Sequence, residues 1–282
     1  MSRVAYVDGQ YVPFGAAAVH IEDRGLQFAD GVYEVWSVRN GRLLDLEGHL
    51  ARLERSLGEL RIKNPMGRSA LQVVLKEVLR RNRVRDGLVY LQVTRGVSRR
   101  DHVFPPAKVK PTVIVTARLQ NVPALEQAAA KGAGVITVPE SRWARCDIKT
   151  VGLLPNVLAK QAAKDAGAQE AWFVDAQGFV TEGSSTNAWI IDATGAVRTR
   201  DTSANILRGI TRARIIEVLK EENLKLDETP FTLEEAYSAR EAFYTAATAM
   251  VTPVTSINGR KIGDGAPGRV AARLRAAYLQ GA

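Results

Sequence analysis

The first third of the chain alternates hydrophobic and polar residues in short runs that are separated by turn residues. A period of two places every second side chain on the same face, which is typical of strands with one buried face. The dipeptides Asp8-Gly9 and Asn40-Gly41 stand between successive runs, and such pairs favour two-residue turns. We therefore predict two β-hairpins. The runs are "RVAYV", "QYVPF", "GVYEVWSV" and "RLLDL".

The following segments carry a helical pattern. Leucines recur at steps of four and three from Leu46 to Leu60, and the run "ALQVVLKEVLRRN" repeats this spacing. Such spacing gathers apolar side chains on one side of an α-helix, so we expect two amphipathic helices on the sheet. Two further strand-like runs, "GLVYLQVTRG" and "KPTVIVTARL", flank a long loop. Residues 1–120 are thus predicted to form a two-layer α+β unit.

Residues 121–134 contain proline and small residues with little apolar periodicity at their start, which predicts a linker to a second domain, residues 135–282. This part mixes strands and helices without the regular alternation of a doubly wound sheet, so we expect an α+β fold. Asn258-Gly259 predicts another hairpin. The predicted strands are "IKT", "EAWFVD", "GFVTEG", "TNAWIID" and "EAFYTAATAMVTPV". The predicted helices are residues 156–167 and the runs "TRARIIEVLKEE", "TLEEAYSAR" and "GRVAARLRAAYLQ".

Composition removes several classes of protein. The 282 residues, 46% hydrophobic and 24% charged, suffice for a large core. No signal-peptide pattern and no run of about 18 uncharged apolar residues occurs, so we expect a cytoplasmic protein that does not associate with membranes. The single cysteine, Cys146, excludes an internal disulfide, and the three histidines lie far apart in the sequence, so we expect no metal site.

The net charge of +9 is compatible with nucleic acid, an acidic surface or small anionic ligands. The basic residues are spread along the chain without a polybasic tail, zinc-finger spacing or aromatic RNP-like strand. We therefore expect no nucleic-acid partner. The alternatives are a solvated surface, or a few arginines that face carboxylates and a phosphate. A basic nucleic-acid-binding protein with a vestigial site stays as the competing hypothesis.

The segment "RCDIKTVGLL", Arg145 to Leu154, places Lys149 in a run that is typical of a half-buried strand. An amine in a sheltered pocket loses its proton more easily and can then react with an aldehyde or ketone, although most lysines are simply solvated. Cys146 as a nucleophile is a further alternative, but a single cysteine in a strand is more often part of the core. The glycine-rich dinucleotide, P-loop and hydrolase patterns are absent from the sequence.

Two further segments supply polar groups of another kind. In "TEGSSTN", Glu182 stands between a strand and a Gly-Ser-Ser corner, where hydroxyls and backbone groups could hold one carboxylate against a ring nitrogen. A turn-capping glutamate is the alternative. In "RGITRARIIEV", Gly209 ends a loop, and Ile210 and Thr211 open a helix whose N-terminus suits a phosphate. Thr211 as an ordinary N-cap is the alternative there.

In this combination the sequence resembles the fold-type IV pyridoxal-phosphate enzymes, and within them the D-amino acid branch of the aminotransferases. The resemblance extends over nearly the whole chain. It implies pyridoxal 5'-phosphate as cofactor and a small two-layer N-terminal α/β domain beside a larger C-terminal pseudo-barrel domain that binds it. The matching segments are "HIEDRGLQFADGVYEVWSVRNG", "YLQVTRGVSRRDHVFP", "RWARCDIKTVGLLPNVLAKQ", "VTEGSSTNAW" and "ILRGITR".

The resemblance also assigns roles to single residues. It implies that Lys149 binds the cofactor covalently and then carries the proton of the substrate, and that Glu182 faces the pyridine nitrogen. It implies a phosphate site made of Arg52 and the backbone amides of Ile210 and Thr211, with the Thr211 hydroxyl. By periodicity Arg52 lies off the leucine stripe, so a solvated helix arginine is the alternative.

One position departs from the family pattern. In "YTAATAMVTP", the residue that usually offers a phosphate-binding hydroxyl is Ala247. Only its amide is then available to a phosphate, unless neighbouring Thr248 substitutes for it.

The run "SRRDHVF" distinguishes branches of the family. Arg100 and His102 are two residues apart, so in an extended loop they point to the same side and can jointly bind an α-carboxylate, although a basic exposed loop is the alternative. By resemblance this pair reaches in from the partner subunit of a homodimer and binds the substrate carboxylate together with Tyr33.

The resemblance therefore implies ping-pong transamination of D-amino acids, in which D-alanine and 2-oxoglutarate give pyruvate and D-glutamate. Branched-chain transamination, (R)-amine transamination and aminodeoxychorismate lyase activity are alternatives with the same fold. The arginine-x-histidine pair counts against all three, because each of those substrates calls for a different grip.

Overall fold

The computed structural model describes residues 3–202 and 206–281. The chain divides into two compact units, the first comprising Met1–Val122 with Ile148–Gly152 and the second comprising Pro123–Asp147 with Leu153–Ala282. The short segment that contains Lys149, Ile148–Gly152, belongs with the first unit, although it follows the predicted linker at residues 121–134 in the sequence.

The first unit contains six strands, three α-helices and a short 3-10 helix at Phe14–Ala16 among its described residues. Its strands are β1 (Val4–Val7), β2 (Gln10–Pro13), β3 (Gly31–Arg39), β4 (Arg42–Leu43), β5 (Gly87–Thr94) and β6 (Thr112–Leu119). Its α-helices are α1 (Arg24–Phe28), α2 (Leu46–Glu59) and α3 (Arg68–Asn82).

The strands of this unit form one antiparallel sheet in the order β2-β1-β6-β5-β3-β4. Both predicted hairpins are confirmed. Asp8-Gly9 joins β1 to β2 and Asn40-Gly41 joins β3 to β4, with positive φ at all four residues. Two successive positive φ angles are the requirement of the tight turn that matches the twist of a hairpin.

Helices α2 and α3 pack on the sheet, as their leucine spacing predicts. Burying each large apolar side chain contributes about 1.5–3 kcal/mol, so the shared core stabilises this layer arrangement. Within β3 the buried face carries Val32, Glu34, Trp36 and Val38, each with no exposed surface. One member of this face is therefore a carboxylate in an apolar row.

The chain from residue 122 onward contributes the remaining helices and strands. Its helices are α4 (Val122–Lys131), α5 (Leu154–Asp165), α6 (Ile210–Glu221), α7 (Leu233–Tyr237) and α8 (Arg269–Gly281). Its strands are β7 (Ala133–Pro139), β8 (Glu170–Val174), β9 (Val180–Gly183), β10 (Asn187–Ile191), β11 (Val197–Thr199), β12 (Leu226–Asp227), β13 (Glu241–Ala246), β14 (Met250–Ile257) and β15 (Arg260–Lys261).

The large sheet of the second unit curls back on itself. Its order is β12-β11-β10-β13-β14-β7-β8-β9, with β15 paired to β14. In a flat sheet, five steps of about 4.8 Å would separate β10 from β9 by about 24 Å. Only residues 184–186 join the two strands, and such a connection spans at most about 14 Å. The sheet must therefore bend, which agrees with the predicted pseudo-barrel.

Several predicted elements differ from the structure. The run "EAFYTAATAMVTPV", predicted as one strand, forms the hairpin β13–β14, in which Ala246 pairs with Met250 and Met250 has φ of 58°. The predicted "IKT" strand is reduced to an isolated bridge between Thr150 and Val32. The predicted linker is largely helix α4 and the start of β7.

The described part of the chain contains no helix that is long and apolar enough to cross a membrane. Its longest helix, α3, has 15 residues, whereas a membrane span needs about 20.

Candidate active site

The candidate lysine is held against strand β3 of the antiparallel sheet. The backbone N–H of Tyr33 donates to the carbonyl of Lys149 over 3.0 Å, and that of Val151 donates to Gly31 over 3.1 Å. The Ser56 hydroxyl on α2 lies 3.5 Å from the Lys149 backbone nitrogen. These contacts fix the backbone on both sides of Lys149, although the segment is only five residues long.

The Lys149 side chain is half-buried and lies over an aromatic face. Its Nζ is 4.2 Å from the ring centroid of Tyr33. The Tyr33 ring in turn stacks on Tyr90, with centroids 5.7 Å apart. Because both aromatic residues lie on paired strands, β3 and β5, the amine has a rigid base. The first unit thus brings together two of the predicted site residues, Lys149 and Tyr33.

A third predicted residue, Arg52, is buried in the same unit and bound to a carboxylate. Its Nε and Nη2 donate to the two oxygens of Glu34, each over 2.7 Å. The second oxygen of Glu34 also accepts from Nδ1 of His49 over 2.7 Å. The alternative of a solvated helix arginine is therefore wrong, since only 8% of Arg52 is exposed. Two of the five guanidinium donors are used by Glu34, and the phosphate role of Arg52 stays a prediction.

The charges of this cluster follow from burial and pairing. Burial alone would raise the pKa of Glu34, but the Arg52 guanidinium and the His49 ring lower it to about 2. Burial lowers the pKa of His49 and outweighs the opposing effect of Glu34. At neutral pH the cluster is therefore an ionised Glu34 between a charged Arg52 and a neutral His49.

Sequence reasoning missed Glu34 and His49, although a signal was present. The period of two in "GVYEVWSV" puts Glu34 on the same face as Val32 and Trp36, and a carboxylate in an apolar row needs a buried partner. His49 and Arg52, one turn apart on α2, are the groups that meet this need.

The last two predicted residues of the first unit lie in the irregular segment between β5 and β6, where a long loop was predicted. Arg100 and His102 are both exposed. Both contact the same ring, that of Phe28 at the end of α1, and so lie on a common side of the loop. Their joint binding of a carboxylate stays a prediction.

In the second unit, Glu182 lies on β9 and is almost fully buried, with 4% exposed. Its carboxylate accepts from Asn187 Nδ2 over 3.0 Å and from the backbone N–H of Leu207 over 3.1 and 3.2 Å. It also accepts from Nη1 of Arg142. A carboxylate with this many donors is strongly held as the anion in one orientation.

Arg142 joins Glu182 to a second carboxylate. Its Nε and Nη2 donate to Glu140 over 2.9 and 2.6 Å, and its guanidinium lies 4.5 Å above the Phe173 ring. Burial would raise the pKa of Glu140, but the bonds from Arg142 lower it. One arginine therefore neutralises part of the charge of two carboxylates. Sequence reasoning did not predict Arg142 as a partner of Glu182.

The hydroxyls of the Gly-Ser-Ser corner do not hold Glu182, contrary to the prediction. Ser184 donates to Glu170, and Ser185 donates to the same carboxylate over 3.3 Å. Asn187, later in the same motif, is the side chain that bonds to Glu182. The reason is the bend between β9 and β10, which contains Ser184 and Ser185 and brings both hydroxyls to Glu170 at the start of β8.

The predicted phosphate site in this unit is the N-terminus of α6. Gly209 is the N-cap, so Ile210 and Thr211 are the first two helical residues and the N-cap alternative for Thr211 is wrong. The Thr211 hydroxyl is buried and has no hydrogen-bond partner among the described residues. A Cβ at position 209 would overlap Asn187 Oδ1. Only glycine therefore allows the helix to begin this close to the residue that bonds to Glu182.

Ala247 and Thr248 lie in the turn between β13 and β14, and both are half-buried. Both residues lie outside the ladder between the two strands, which ends at the pair Ala246 and Met250. This unit also contains helix α6, which packs against β13. The structure thus gives the alanine position a backbone that differs from the predicted one.

The alternative role of Cys146 as a nucleophile gains no support. Burial raises the pKa of its thiol to about 11, so the thiol is protonated at neutral pH and donates to the carbonyl of Trp143 over 3.0 Å. Within residues 3–202 and 206–281, no group of three or more His, Cys, Asp or Glu side chains has the arrangement of a metal site.

Comparison with known proteins now defines the class. Residues 31–257 match the Amino-transferase class IV family, and the chain belongs to it. The chain is therefore an aminotransferase of fold-type IV, as the sequence predicted.

More particular similarities cover the whole length. The chain is 40% identical to D-alanine aminotransferase of Bacillus licheniformis over 270 residues, which cover 96% of this chain and 94% of that protein. It is 36% identical to D-alanine aminotransferase of Staphylococcus haemolyticus over 281 residues, covering 99% and 97%. A solved T.th. branched-chain amino acid aminotransferase with pyridoxamine 5'-phosphate has a TM-score of 0.90 and 30% identity, covering 99% of this chain and 94% of that one.

Replacing the buried carboxylate of the first unit should lower the stability of the folded protein. We expect Glu34→Gln to lower the free energy of unfolding at pH 7 by about 3–5 kcal/mol, because it leaves the buried charge of Arg52 unpaired. The folded-state pKa of Glu34 lies below its ordinary value of 4.5, so the contribution is complete above about pH 4.5 and is lost as the pH falls through about 2. The difference between the two proteins should shrink over this range in urea unfolding curves.

Glu54→Gln is the matched control, because Glu54 forms an exposed ion pair with Arg68. Its effect should stay below about 1 kcal/mol. Equal effects of the two substitutions would show that burial of the Glu34 cluster does not stabilise the fold.

Proposed function

We propose that the protein is a pyridoxal 5'-phosphate-dependent transaminase of D-amino acids that converts D-alanine and 2-oxoglutarate into pyruvate and D-glutamate by a ping-pong mechanism. The observation that carries the proposal is the pair Arg100 and His102, which lie on one side of a loop in a chain 40% identical to a D-alanine aminotransferase. Two cationic or hydrogen-bonding groups on one side of a loop suit a planar carboxylate.

The residues at the start of α6 fit the phosphate of the cofactor. The first N–H groups of a helix have no intrahelical partner and attract an anion. The buried Thr211 hydroxyl has no partner among the described residues, which is costly unless a ligand accepts its hydrogen bond. The amides of Ile210, Thr211 and Ala247 and the guanidinium of Arg52 are the groups that we assign to the phosphate.

Glu182 fits the pyridine nitrogen for an electrostatic reason. It is buried, held by three neighbouring groups and paired with Arg142. An anion fixed in this way favours a proton on a nearby ring nitrogen. When bound, pyridoxal 5'-phosphate supplies the electron sink that stabilises negative charge at the substrate Cα.

Lys149 is assigned two tasks. Its amine would hold the cofactor covalently in the resting enzyme, and once the substrate amine had displaced it, Nζ would carry the proton that leaves the substrate Cα. The Tyr33 ring lies 4.2 Å from Nζ and gives the amine one fixed neighbour, which favours a defined position for proton transfer.

The substrate panel that tests the proposal combines D-amino acids, L-amino acids and (R)-amines with 2-oxoglutarate or pyruvate as acceptor. We expect D-alanine to be the donor that bleaches the cofactor absorbance and yields pyruvate, with L-amino acids at least about 100-fold slower, which corresponds to about 2.7 kcal/mol of barrier. Preferential use of L-leucine or L-valine would instead support branched-chain transamination, which the structural similarity at TM-score 0.90 favours as the second candidate.

The glycine before α6 provides a test of the phosphate site. Gly209→Ala should weaken binding of pyridoxal 5'-phosphate by about tenfold, equal to about 1.4 kcal/mol, because the new Cβ overlaps Asn187 and displaces the helix N-terminus. The measurement is the dissociation constant of the cofactor by absorbance or fluorescence titration of the apoprotein.

Gly67→Ala is the control for this substitution. Gly67 is the N-cap of α3 with a similar extended backbone, and a Cβ there meets nothing within 4 Å. Equal cofactor affinity of the Gly209→Ala variant and the parent protein would contradict the assignment of the α6 N-terminus to the phosphate site.

We further propose that the enzyme is a homodimer whose two active sites each combine Lys149 of one subunit with Arg100 and His102 of the other. Large exposed apolar side chains support an interface, since Ile21 and Leu26 are 78% and 66% exposed. The cytoplasmic location expected from the sequence also stays a prediction.

Mixed dimers test the shared site. Lys149→Ala and Arg100→Ala homodimers should each lose activity with D-alanine, by at least about 100-fold for the lysine variant. Co-expression of the two should restore about a quarter of the parental activity, because half of the dimers are mixed and each has one complete site. If co-expression restores no activity, Lys149 and Arg100 of one active site belong to the same subunit.

The control mixture combines Lys149→Ala with Lys164→Ala, a substitution of an exposed lysine on α5. Every Lys164→Ala subunit still supplies an intact Lys149, so this mixture should keep about half of the parental activity. A value near one quarter in the control mixture would show that unequal subunit levels, rather than complementation, set the recovered activity.

A further inference from the structure

The two proposed carboxylate-binding residues share a support that the proposed function does not include. Arg100 Cζ lies 4.7 Å from the centroid of the Phe28 ring. The His102 ring lies 5.5 Å from the same centroid at an angle of 50°. Phe28 is the last residue of the short helix α1, far from this loop in sequence. One ring therefore contacts both ends of the arginine-x-histidine pair.

Arg24, at the start of the same helix, fixes the residue between them. This arginine is buried, and its guanidinium lies 4.8 Å from the Phe28 centroid. Its Nη1 donates to the carbonyl of Asp101 over 2.6 Å, and its Nε donates to Asp30 over 2.8 Å. The backbone at Asp101 is thus held while the side chains on either side of it meet Phe28.

The base of this arrangement is a carboxylate shared by two arginines. Asp30 accepts from Arg24 and also from Arg95 Nε and Nη2, over 2.7 and 2.9 Å. Arg95 additionally lies 3.7 Å from the ring centroid of Phe104, at the other end of the loop. The loop is therefore anchored before and after the arginine-x-histidine pair by ionic groups that are largely buried.

We infer that Phe28 is a positioning residue for recognition of the substrate carboxylate, which it serves by holding Arg100 and His102 on one side of the loop before substrate arrives. This inference rests on the proposed function and extends it to a residue outside the direct grip. The contacts of Phe28 with Arg100 and His102 lie within one chain. Phe28 therefore supports this loop whether the loop serves the active site of its own subunit or that of the partner.

The physical basis is the conformational entropy of an exposed arginine. A long side chain that is ordered only on binding weakens affinity for the ligand, whereas one that is ordered in advance does not. The face of an aromatic ring attracts the face of a guanidinium, so the N–H donors at the edge of the guanidinium stay available for hydrogen bonds. Phe28 can therefore fix the direction of Arg100 and leave its donors for a carboxylate.

The test compares Phe28→Leu with Phe28→Tyr in the holoenzyme. Leucine retains an apolar side chain but has no ring face, so KM for D-alanine should rise about five- to tenfold while kcat stays within about twofold, the pattern of lost ground-state binding. Tyrosine keeps the ring and should restore KM to the parental value. Phe14→Leu is the matched control, because Phe14 lies under Arg3, 3.9 Å away, in the same unit. Its KM should be unchanged.

A coupling measurement separates positioning from a general structural effect. In an Arg100→Ala, His102→Ala background, Phe28→Leu should lower the residual kcat/KM for D-alanine by less than about twofold further, because the groups that it positions are gone. A full five- to tenfold loss in that background would overturn the inference. Thermal unfolding of the single variants accompanies the kinetics.

Backbone hydrogen exchange of residues 97–104 gives a readout that does not need activity. Exchange should be faster in Phe28→Leu than in the parent protein and unchanged in Phe14→Leu. If the parent enzyme is active and Phe28→Leu changes neither KM nor hydrogen exchange, the inference about Phe28 is overturned and the proposed function is not. A parent enzyme that does not transaminate D-alanine overturns the proposed function.

Discussion

The first unit depends on one buried carboxylate. Glu34 has no exposed surface, and the cost of removing its charge from water is offset by three short hydrogen bonds from Arg52 and His49. These bonds join β3 to α2, the strand and helix between which the core of this layer packs. The same β3 carries Tyr33 and pairs with the backbone of Lys149. The ion pair between Glu34 and Arg52 thus joins α2 to the strand that also holds the backbone of Lys149.

The second unit solves the same physical problem with different partners. Glu182 is nearly as buried as Glu34, yet it is bound by an amide, a backbone N–H and an arginine that it shares with Glu140. Arg142 divides its donors between Glu182 and Glu140, whereas Arg52 gives two donors to one carboxylate, Glu34. Glu182 is thus fixed by groups of three kinds, which suits the orientation required of it in the proposed role.

Local chemistry explains which features the sequence predicts. Asp8-Gly9 and Asn258-Gly259 indicate hairpins because their positive φ angles are a property of those residues themselves. The turn at residues 247–249 has no glycine or proline, so nothing local marks it, and only pairing of β13 with β14 creates it. The contacts of Lys149 with β3 and of Arg142 with Glu182 join residues distant in sequence, which periodicity does not register. Residue types at the site were therefore predictable, but their partners were not.

The buried arginines do not account for the net charge of +9, because their carboxylate partners cancel them. Several arginines lie inside the protein and face carboxylates: Arg24 and Arg95 share Asp30, Arg52 binds Glu34, and Arg142 binds Glu140 and Glu182. A guanidinium in such a position is compensated internally and contributes little to the field that a polyanion meets. Nucleic-acid affinity requires basic side chains that remain solvated and contact phosphates. The buried arginines therefore serve as ion-pair partners inside the protein, and the excess of nine positive charges lies among the remaining residues.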